Sequence, residues 1–255
     1  MSLVPTFLRR ALRLDAVRAA FSEGPLEPWL EVKMPPDWTG SGPGQSDDEI
    51  YRAFARALGG SSQAITAHRQ RFVAYAAAAA AQTEKPFVDV GCGAGEFLKL
   101  LKDEGIEAIG VETSEQQTAL LRAAGFDVRC TDAVSFLEER PDASLGGVST
   151  FNVIEHMPPD YLLQFMRLMA TRVRAGGCVI MQTSSPLNAF EAGVFTLDLT
   201  HERMYHPLTV CFYLAQMGFA DVAVLYHDPA PVALRLSGAD EAAMRSYAVV
   251  GTRID

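Results

Sequence analysis

Residues 88–97 read Val-Asp-Val-Gly-Cys-Gly-Ala-Gly-Glu-Phe, and they mark a change from strand to helix. The β-branched valines are typical of a short strand, which three alternate glycines then interrupt. Glycine adopts positive φ at little cost and has no Cβ, so the backbone at Gly91, Gly93 and Gly95 can bend sharply and approach a ligand closely. The stretch therefore predicts a nucleotide-binding turn between a strand and a helix.

The spacing of the glycines argues against a dinucleotide. The NAD fingerprint G-x-G-x-x-G would place its third glycine at position 96, and this position holds Glu96. A carboxylate at the start of a helix is stabilised by the helix dipole, but it competes with a pyrophosphate for the same positive end. The sequence thus favours a cationic ligand without phosphate over NAD, and it disfavours a nicotinamide dehydrogenase.

S-adenosylmethionine is a cationic ligand of this kind. The turn resembles the first motif of the class I S-adenosylmethionine-dependent methyltransferases at Asp89, Gly91, Gly93 and Gly95. The resemblance implies S-adenosylmethionine as cofactor, bound at these four positions and at Cys92. It also implies a Rossmann-like α/β fold, in which a seven-stranded, mostly parallel sheet carries helices on both faces and ends in a late hairpin.

The next predicted strand ends in an acid, Glu112, about 20 residues after Gly91. At this spacing an acid meets a ribose diol in nucleotide-binding folds, and an ionised acceptor makes strong hydrogen bonds to hydroxyl groups. We predict that Glu112 and the adjacent Thr113 bind the cofactor. The alternative is a surface acid in front of a helix that Ser114 and Gln117 begin as a capping box.

Four further cofactor contacts are predicted. The resemblance implies that Asp132, after the third strand, receives the adenine amino group beside Ala133, whereas a helix N-cap is the alternative role for Asp132. Asn152, at the end of the fourth strand, is included in the cofactor set. Arg71, in preference to Arg69, is a candidate partner of the methionine carboxylate because a guanidinium fork suits a carboxylate; a solvated helix face is the alternative.

The end of the fourth strand reads Phe-Asn-Val-Ile-Glu-His-Met over residues 151–157. Together with residues 51–54, 185–188 and 198–201, this segment resembles the methyltransferases of bacterial surface-polysaccharide and O-antigen assembly, including the chain-terminating type. The likeness runs from about residue 51 to residue 219. Two positions depart from that group, which typically has His where this chain has Asn152 and Pro where it has Leu199. The resemblance implies O-methylation of a sugar hydroxyl or a phosphate.

Two histidines are the candidate catalytic bases. Methyl transfer is an in-line displacement, to which positioning can contribute roughly 7 to 11 kcal/mol and a general base about 10²- to 10⁴-fold. His156 and His201 suit the second role, since imidazole is largely neutral near pH 7; orienting the strand-four loop is the alternative for His156. Glu155 and His156, with Asp198 or His201, would ligate a metal only if their loops converge. Because no fixed ligand spacing supports this, we predict no metal site.

Length and charge set the domain organisation and the partners. The 255 residues suffice for one large α/β domain, predicted over 49–255 with leading helices over 49–82. Residues 1–48 are predicted to form an amphipathic basic helix, over 5–21, and a Gly- and Pro-rich linker. This helix is a candidate for peripheral membrane contact, for packing against its own domain, or for packing against a second subunit in a homodimer. The net charge of −9 argues against a nucleic-acid partner.

Alternating strand and helix signals predict where the elements lie. We predict one helix over 62–81 and strands over 87–90, 108–112, 127–130, 147–152, 178–183, 221–226 and 246–251. This alternation of strands and helices by itself predicts only a doubly wound fold; the late hairpin is what the methyltransferase resemblance implies.

The cysteines and the hydropathy indicate the compartment. Four cysteines far apart, without a C-x-x-C pair, predict buried, reduced thiols, and no apolar stretch reaches the roughly 18 residues of a membrane span. We therefore predict a cytoplasmic protein. The family resemblance implies that its acceptor is a sugar or another small molecule. The alternatives are a methyltransferase of a soluble quinone or natural product, and a non-catalytic cofactor-binding subunit.

Overall fold

A computed structural model of the protein describes residues 44–46, 49–51, 53–54, 62–229 and 244–254. The chain divides at Ser62 into two units, and the second contains the sheet. In the first unit, Ser46 and Glu49 form a capping box: the Ser46 hydroxyl accepts from the Glu49 N–H at 3.3 Å, and the Glu49 carboxylate accepts from the Ser46 N–H at 2.8 Å. The predicted helix over 5–21 and the linker lie outside the described residues.

The second unit alternates helices and strands. Its helices are α1 (Ser62–Arg69), α2 (Val73–Thr83), α3 (Glu96–Asp103), α4 (Glu115–Ala123), α5 (Ala133–Glu138), α6 (Pro159–Arg172), α7 (Ala189–Phe195) and α8 (Pro207–Gln216). Its strands are β1 (Phe87–Val90), β2 (Ala108–Glu112), β3 (Asp127–Cys130), β4 (Leu145–Phe151), β5 (Val173–Ser184), β6 (Phe219–Pro229) and β7 (Met244–Arg253). Short 3₁₀ turns cover Gln70–Phe72 and Ile154–His156.

The seven strands form one sheet in the order β3-β2-β1-β4-β5-β7-β6. Strands β1 to β5 pair in parallel, whereas β7 pairs antiparallel with β5 and with β6. This topology confirms the predicted fold, including the late hairpin. The strand order reverses between β1 and β4, and in open α/β sheets such a reversal opens a crevice at the carboxyl ends of the strands.

Apolar side chains of β1 pack on both faces of the sheet. Val88 and Val90 lie in one buried cluster with side chains of α5, α6 and α8, while Phe87 lies in a second with side chains of α2 and α3. Each large side chain buried in this way contributes about 1.5 to 3 kcal/mol to folding. Helices on both faces therefore pack against β1, an interior strand of the sheet, and this packing positions the turn that follows it.

The sequence predicted β1, β2 and β3 at their observed bounds, but β5 begins earlier than expected. Val173 already pairs with Leu145, and the register between β4 and β5 then shifts. Gly176 and Gly177 lie in this irregular stretch, and glycine lowers strand propensity. The predicted helix over 62–81 is likewise interrupted by the 3₁₀ turn at 70–72.

One cysteine departs from its predicted burial. Cys92 and Cys178 are buried and Cys211 is half-buried, but Cys130 is exposed. The reason is its position at the end of β3, which is an edge strand of the sheet. Within the described residues, no helix is long and apolar enough to cross a membrane.

Replacing Gly91 by alanine should destabilise the protein more than the same change at Gly105. Both residues have positive φ, +63° and +72°, so both alanines carry the left-handed strain of about 1 to 2 kcal/mol. A Cβ on Gly91 would also lie 2.4 Å from Cγ2 of Val153, whereas a Cβ on Gly105 meets nothing within 4 Å. Overpacking should add roughly 1 to 3 kcal/mol for Gly91→Ala. Urea unfolding measures the difference, and equal losses in the two variants would contradict it.

Candidate functional site

The three glycines of the turn after β1 all adopt positive φ: +63° at Gly91, +56° at Gly93 and +81° at Gly95. Side chains pack against two of them, because a Cβ on Gly91 or Gly95 would collide with Val153 or Leu121. A Cβ on Gly93 would meet only the Gly91 carbonyl oxygen, at 3.9 Å. The turn is therefore open beside Gly93, where a ligand can approach the backbone.

Glu112 is held directly against this turn. One oxygen of its carboxylate accepts from the Gly93 N–H at 3.0 Å, and the other accepts from the Ser114 N–H at 2.9 Å. A carboxylate has about four acceptor sites, so two remain for hydroxyl groups of a ligand. Ser114 also caps α4 by accepting from the Gln117 N–H, as the sequence predicted.

Asp89 is a buried acid below the turn. Its side chain is 1% exposed, and Oδ1 accepts from the Ser149 hydroxyl at 2.7 Å. The other oxygen, Oδ2, has no hydrogen-bond partner among the described residues. Burial raises the pKa of Asp89 to about 6, although nearby Arg69 counteracts part of the rise. A cation next to Asp89 would stabilise the ionised form.

Arg69, rather than Arg71, reaches the turn. Its guanidinium pairs with the Glu96 carboxylate at 3.3 Å and lies 4.8 Å from the centre of the Phe151 ring. Arg71 is exposed, and its Nε donates to the carbonyl of His68 at 3.0 Å. Arg71 lies in the 3₁₀ turn over 70–72, and its predicted contact with the methionine carboxylate stays a prediction, while Arg69 is the arginine that pairs with Glu96 at the start of α3.

Asp132 forms the predicted N-cap of α5, where Oδ1 accepts from the Ser135 N–H at 3.0 Å. The same oxygen accepts from the Tyr161 hydroxyl at 2.7 Å, and that hydroxyl in turn accepts from the Val134 N–H. Although burial alone opposes ionisation, the hydrogen bonds from Ser135 and Tyr161 lower the pKa of Asp132 to about 2. Asp132 is therefore a fixed anion at the carboxyl end of β3.

The remaining predicted cofactor positions differ in whether their side chains are buried or exposed. Cys92 and Ala133 are buried, so chiefly their backbone is available, and burial raises the pKa of the Cys92 thiol. Thr113 and Asn152 are exposed, and Asn152 has a positive φ of +56°. All four residues follow the carboxyl ends of adjacent parallel strands, β1 to β4.

His156 lies in the 3₁₀ turn after β4 and contacts the loop before α8. Its Nδ1 is 2.9 Å from the hydroxyl oxygen of Thr200 and 3.2 Å from the Thr200 carbonyl oxygen. Burial and the neighbouring His201 lower the pKa of His156, which favours its neutral form. The loop is anchored here, because the Glu155 carbonyl oxygen accepts from the N–H groups of Glu202 and Arg203.

His201 and Asp198 complete a polar cluster with His156. The two imidazole ring centres are 4.7 Å apart, and His201 Nε2 lies 3.8 Å from Asp198 Oδ2. His201 also stacks on Phe195 and donates from Nδ1 to the Phe195 carbonyl oxygen at 2.8 Å. Although burial opposes ionisation of Asp198, hydrogen bonds from Thr200 hold its pKa below the ordinary value. The structure thus brings both predicted bases to one place.

Glu155 is a buried acid next to this polar cluster. It is fully buried, its Oε2 accepts from the Thr183 hydroxyl at 2.8 Å, and Oε1 has no partner among the described residues. Burial raises the pKa of Glu155 to about 7, and the nearby Asp198 acts in the same direction. The Glu155 side chain therefore lies inside the protein, where it bonds to Thr183 of β5, while its backbone carbonyl oxygen anchors the loop.

A pocket of about 320 Å³ opens between α6, the segment 203–206 and α8. Its lining is mostly apolar and includes Leu162, Met166 and Val210, while Arg203, His206, Thr209 and Tyr213 are among its polar members. Pro159 and Pro186 also line it, and each comes shortly after a strand of the sheet. The pocket thus lies toward the carboxyl ends of β4 and β5.

The fold and the glycine turn define a methyltransferase. A family model described as a methyltransferase domain matches residues 63–224, so this chain belongs to the methyltransferase-domain family. The protein is an enzyme that transfers a methyl group.

Solved structures agree with this assignment. The chain is similar to a SAM-dependent methyltransferase from Archaeoglobus fulgidus, with 26% identity, 80% of this chain and 99% of that chain covered, and a TM-score of 0.71. It is also similar to a SAM-dependent methyltransferase from Thermotoga maritima, with 21% identity, coverage of 73% and 90%, and a TM-score of 0.52. A geranyl diphosphate methyltransferase has 14% identity, coverage of 67% and 72%, and a TM-score of 0.53. A comparison with curated proteins finds no match.

Sequence reasoning missed two contributors to the site. Tyr161 lies in α6, 29 residues from its partner Asp132, and Thr200 lies 44 residues from His156. Neither has a local sequence signal, because the contacts form only when separate loops meet at the edge of the sheet. The sequence also could not show that Arg69 pairs with Glu96 while Arg71 is exposed, because the orientation of a residue near a helix end depends on tertiary packing.

We expect Asp89→Asn to change the pH dependence of stability. Asp89 has a pKa of about 6 in the folded protein against an ordinary value of 3.8, a rise worth roughly 3 kcal/mol. Well below pH 4 the carboxyl is protonated in both states and imposes no penalty. Between about pH 4 and 6 it ionises in the unfolded chain but stays protonated in the folded one, so the wild type loses up to about 3 kcal/mol of stability relative to the asparagine variant. Urea unfolding from pH 3 to 7.5 measures this. Parallel stability curves for the two proteins would contradict the prediction.

Proposed function

We propose that this methyltransferase transfers the methyl group of S-adenosylmethionine to a hydroxyl oxygen of a sugar during polysaccharide or glycoconjugate biosynthesis. The cofactor is S-adenosylmethionine. Support for the hydroxyl acceptor comes from one observation: the polar cluster of His156, Asp198 and His201 lies on loops at the carboxyl side of the sheet, next to the glycine turn. Val153 joins the two regions, since it packs against Gly91 and lies three residues before His156.

The described residues fit the cofactor. The backbone at Gly93 is open to a ligand, and the Glu112 carboxylate beside it retains acceptor sites for the two ribose hydroxyls. Asp132 lies after β3, two strands away from β1 and its glycine turn, and its carboxylate is an acceptor suited to an adenine amino group. The buried, unpaired Oδ2 of Asp89 suits a positively charged ligand, and Arg69 is the cation available for the methionine carboxylate. Together these groups suit a ligand that is cationic at one point and carries no phosphate.

The chain's own residues position the acceptor and remove its proton. Bound S-adenosylmethionine supplies an electrophilic methyl carbon; the acceptor oxygen bonds to this carbon while the carbon–sulfur bond breaks and its electron pair stays on sulfur. In this proposal His156 and His201 hold the acceptor hydroxyl and accept its proton. The carboxylate of Asp198 lies 3.8 Å from His201 Nε2, the nitrogen that would take up the proton. Alignment of the hydroxyl is expected to contribute more than proton removal.

A second acceptor class has one specific observation in its favour. The apolar lining of the 320 Å³ pocket suits a small, largely apolar molecule such as a quinone or a natural product. This acceptor would still present a hydroxyl to His156 and His201. The two proposals therefore share the chemistry and differ in what fills the pocket.

Glu112→Ala should weaken cofactor binding with little effect on folding of the sheet. The change removes hydrogen bonds to a charged acceptor, each worth about 1.5 to 3 kcal/mol, so we expect the Kd for S-adenosylhomocysteine to rise about 10- to 100-fold. Calorimetry measures the Kd. Glu115→Ala, which removes an exposed acid from the first turn of α4, is the matched control and should bind as the wild type does. An unchanged Kd in Glu112→Ala would remove Glu112 from the cofactor site.

Incubation with labelled S-adenosylmethionine and a panel of glycans, quinones and phenolic natural products tests the acceptor. We expect label in a glycan hydroxyl, located by mass analysis of the product. His201→Ala should lower kcat about 10²- to 10⁴-fold while the Kd for S-adenosylhomocysteine stays unchanged.

Other outcomes of this experiment would change the proposal. Methylation of quinones or phenols alone would replace the sugar by the second acceptor class. An unchanged kcat in both His156→Ala and His201→Ala would remove the imidazoles from proton transfer.

A further inference from the structure

Three potential metal ligands converge at the polar cluster. His156, Asp198 and His201 each offer one ligand atom within 4.8 Å of the other two. All three side chains are half-buried, so a dissolved ion can reach them. The loops that carry them come from β4 and from the segment after α7, which sequence spacing alone could not bring together.

The hydrogen bonds of His201 fix which ring nitrogen is free. Its Nδ1 faces the Phe195 carbonyl oxygen at 2.8 Å, and a carbonyl can only accept, so Nδ1 carries the proton. In the neutral ring, Nε2 then presents a lone pair toward Asp198 Oδ2 at 3.8 Å. A cation placed between Nε2 and Oδ2 would accept electron density from both lone pairs.

The same reasoning applies to His156. The Thr200 hydroxyl donates to Asp198 Oδ1 at 2.6 Å, so its oxygen can only accept from His156 Nδ1 at 2.9 Å. The Thr200 carbonyl oxygen is a second acceptor for this nitrogen. His156 Nδ1 is therefore protonated, so the lone pair of the neutral ring is on Nε2. Metal-bound histidines typically donate their other ring N–H to a carbonyl or a similar acceptor in this way.

We propose that His156, Asp198 and His201 form a binding site for one divalent transition-metal cation such as Zn²⁺. Two imidazoles and one carboxylate are the ligands that such cations prefer, whereas Mg²⁺ prefers oxygen ligands. Three protein ligands leave coordination positions open, as in catalytic zinc sites. This site revises the prediction of no metal, which rested on the lack of a fixed ligand spacing in the sequence.

Binding needs only a small movement. Zinc–ligand distances of about 2.0 to 2.2 Å correspond to roughly 3.0 to 3.5 Å between neighbouring ligand atoms. The present separations of up to 4.8 Å must therefore contract by about 1 to 2 Å. Asp198 and His201 lie in a loop between α7 and α8, outside regular secondary structure, so this contraction breaks no helix or strand.

The cation would act on the acceptor of the proposed reaction, and this part of the inference rests on the proposed function. A hydroxyl oxygen bound at an open position would lose its proton more easily, because a bound cation acts as a Lewis acid. The two imidazoles would then act through the metal rather than as bases. The acceptor proton would leave to solvent, and the oxygen would remain oriented toward the methyl donor.

Metal titration of the tag-free, full-length protein tests the site without any acceptor. After removal of bound metal by a chelator and dialysis, the protein is titrated with Zn²⁺ by calorimetry and with Co²⁺ by visible absorption. We expect one equivalent of either ion to bind, with Co²⁺ bands that a large excess of Mg²⁺ does not abolish. His201→Ala and Asp198→Asn should each weaken metal binding by at least about 10- to 100-fold. Loss of a residue that only hydrogen-bonds to a metal ligand already has an effect of this size, so loss of a ligand should have at least the same effect.

His206→Asn is the matched control. It removes an exposed histidine that caps α8, and asparagine is a good helix N-cap, so metal binding should not change. Asp198→Asn keeps the shape of the side chain and thus separates ligand loss from misfolding. The site is overturned if neither ion binds saturably, or if His201→Ala and Asp198→Asn both bind as the wild type does.

The methylation assay separates this inference from the function on which it rests. Equal turnover by chelator-treated and Zn²⁺-loaded enzyme would overturn the role of the cation in the reaction, while O-methylation would stand. One tightly bound equivalent of metal in an enzyme that methylates no hydroxyl acceptor would support the site and overturn the proposed function.

Discussion

The contact between Val153 and Gly91 connects the two halves of this enzyme. It exists because Gly91 has no Cβ, which would lie 2.4 Å from the valine side chain. The turn after β1 and the loop after β4 therefore meet at the point where the strand order reverses. The residues proposed to bind the cofactor and those proposed to act on the acceptor therefore lie on two loops that share one tight contact.

Acidic groups dominate the cofactor side of that contact. Asp89, Glu112 and Asp132 follow or end three adjacent strands, and burial raises the pKa of Asp89 to about 6, with one of its oxygens lacking a partner among the described residues. Arg69 offsets part of this charge through its ion pair with Glu96. Such an arrangement favours a ligand that brings positive charge, which agrees with the argument from Glu96 against a pyrophosphate.

The acceptor side is organised by Thr200. Its hydroxyl donates to Asp198 and accepts from His156, and its carbonyl oxygen accepts from the same ring. One residue therefore sets the tautomer of an imidazole and the orientation of a carboxylate. In the neutral rings of His156 and His201 the lone pair is on Nε2, because Nδ1 of each ring faces a hydrogen-bond acceptor.

The sequence by itself determined the methyltransferase fold and its cofactor, S-adenosylmethionine. The glycine spacing from Gly91 to Gly95 and the position of Glu112 are local patterns of one strand–turn–helix unit and its neighbour, so they can be recognised without tertiary structure. Only the fold decided that Arg69 rather than Arg71 faces the turn, and that Thr200, 44 residues from His156, is its partner. Those contacts join segments distant in the chain, and their geometry is set by how helices and loops pack at the edge of the sheet.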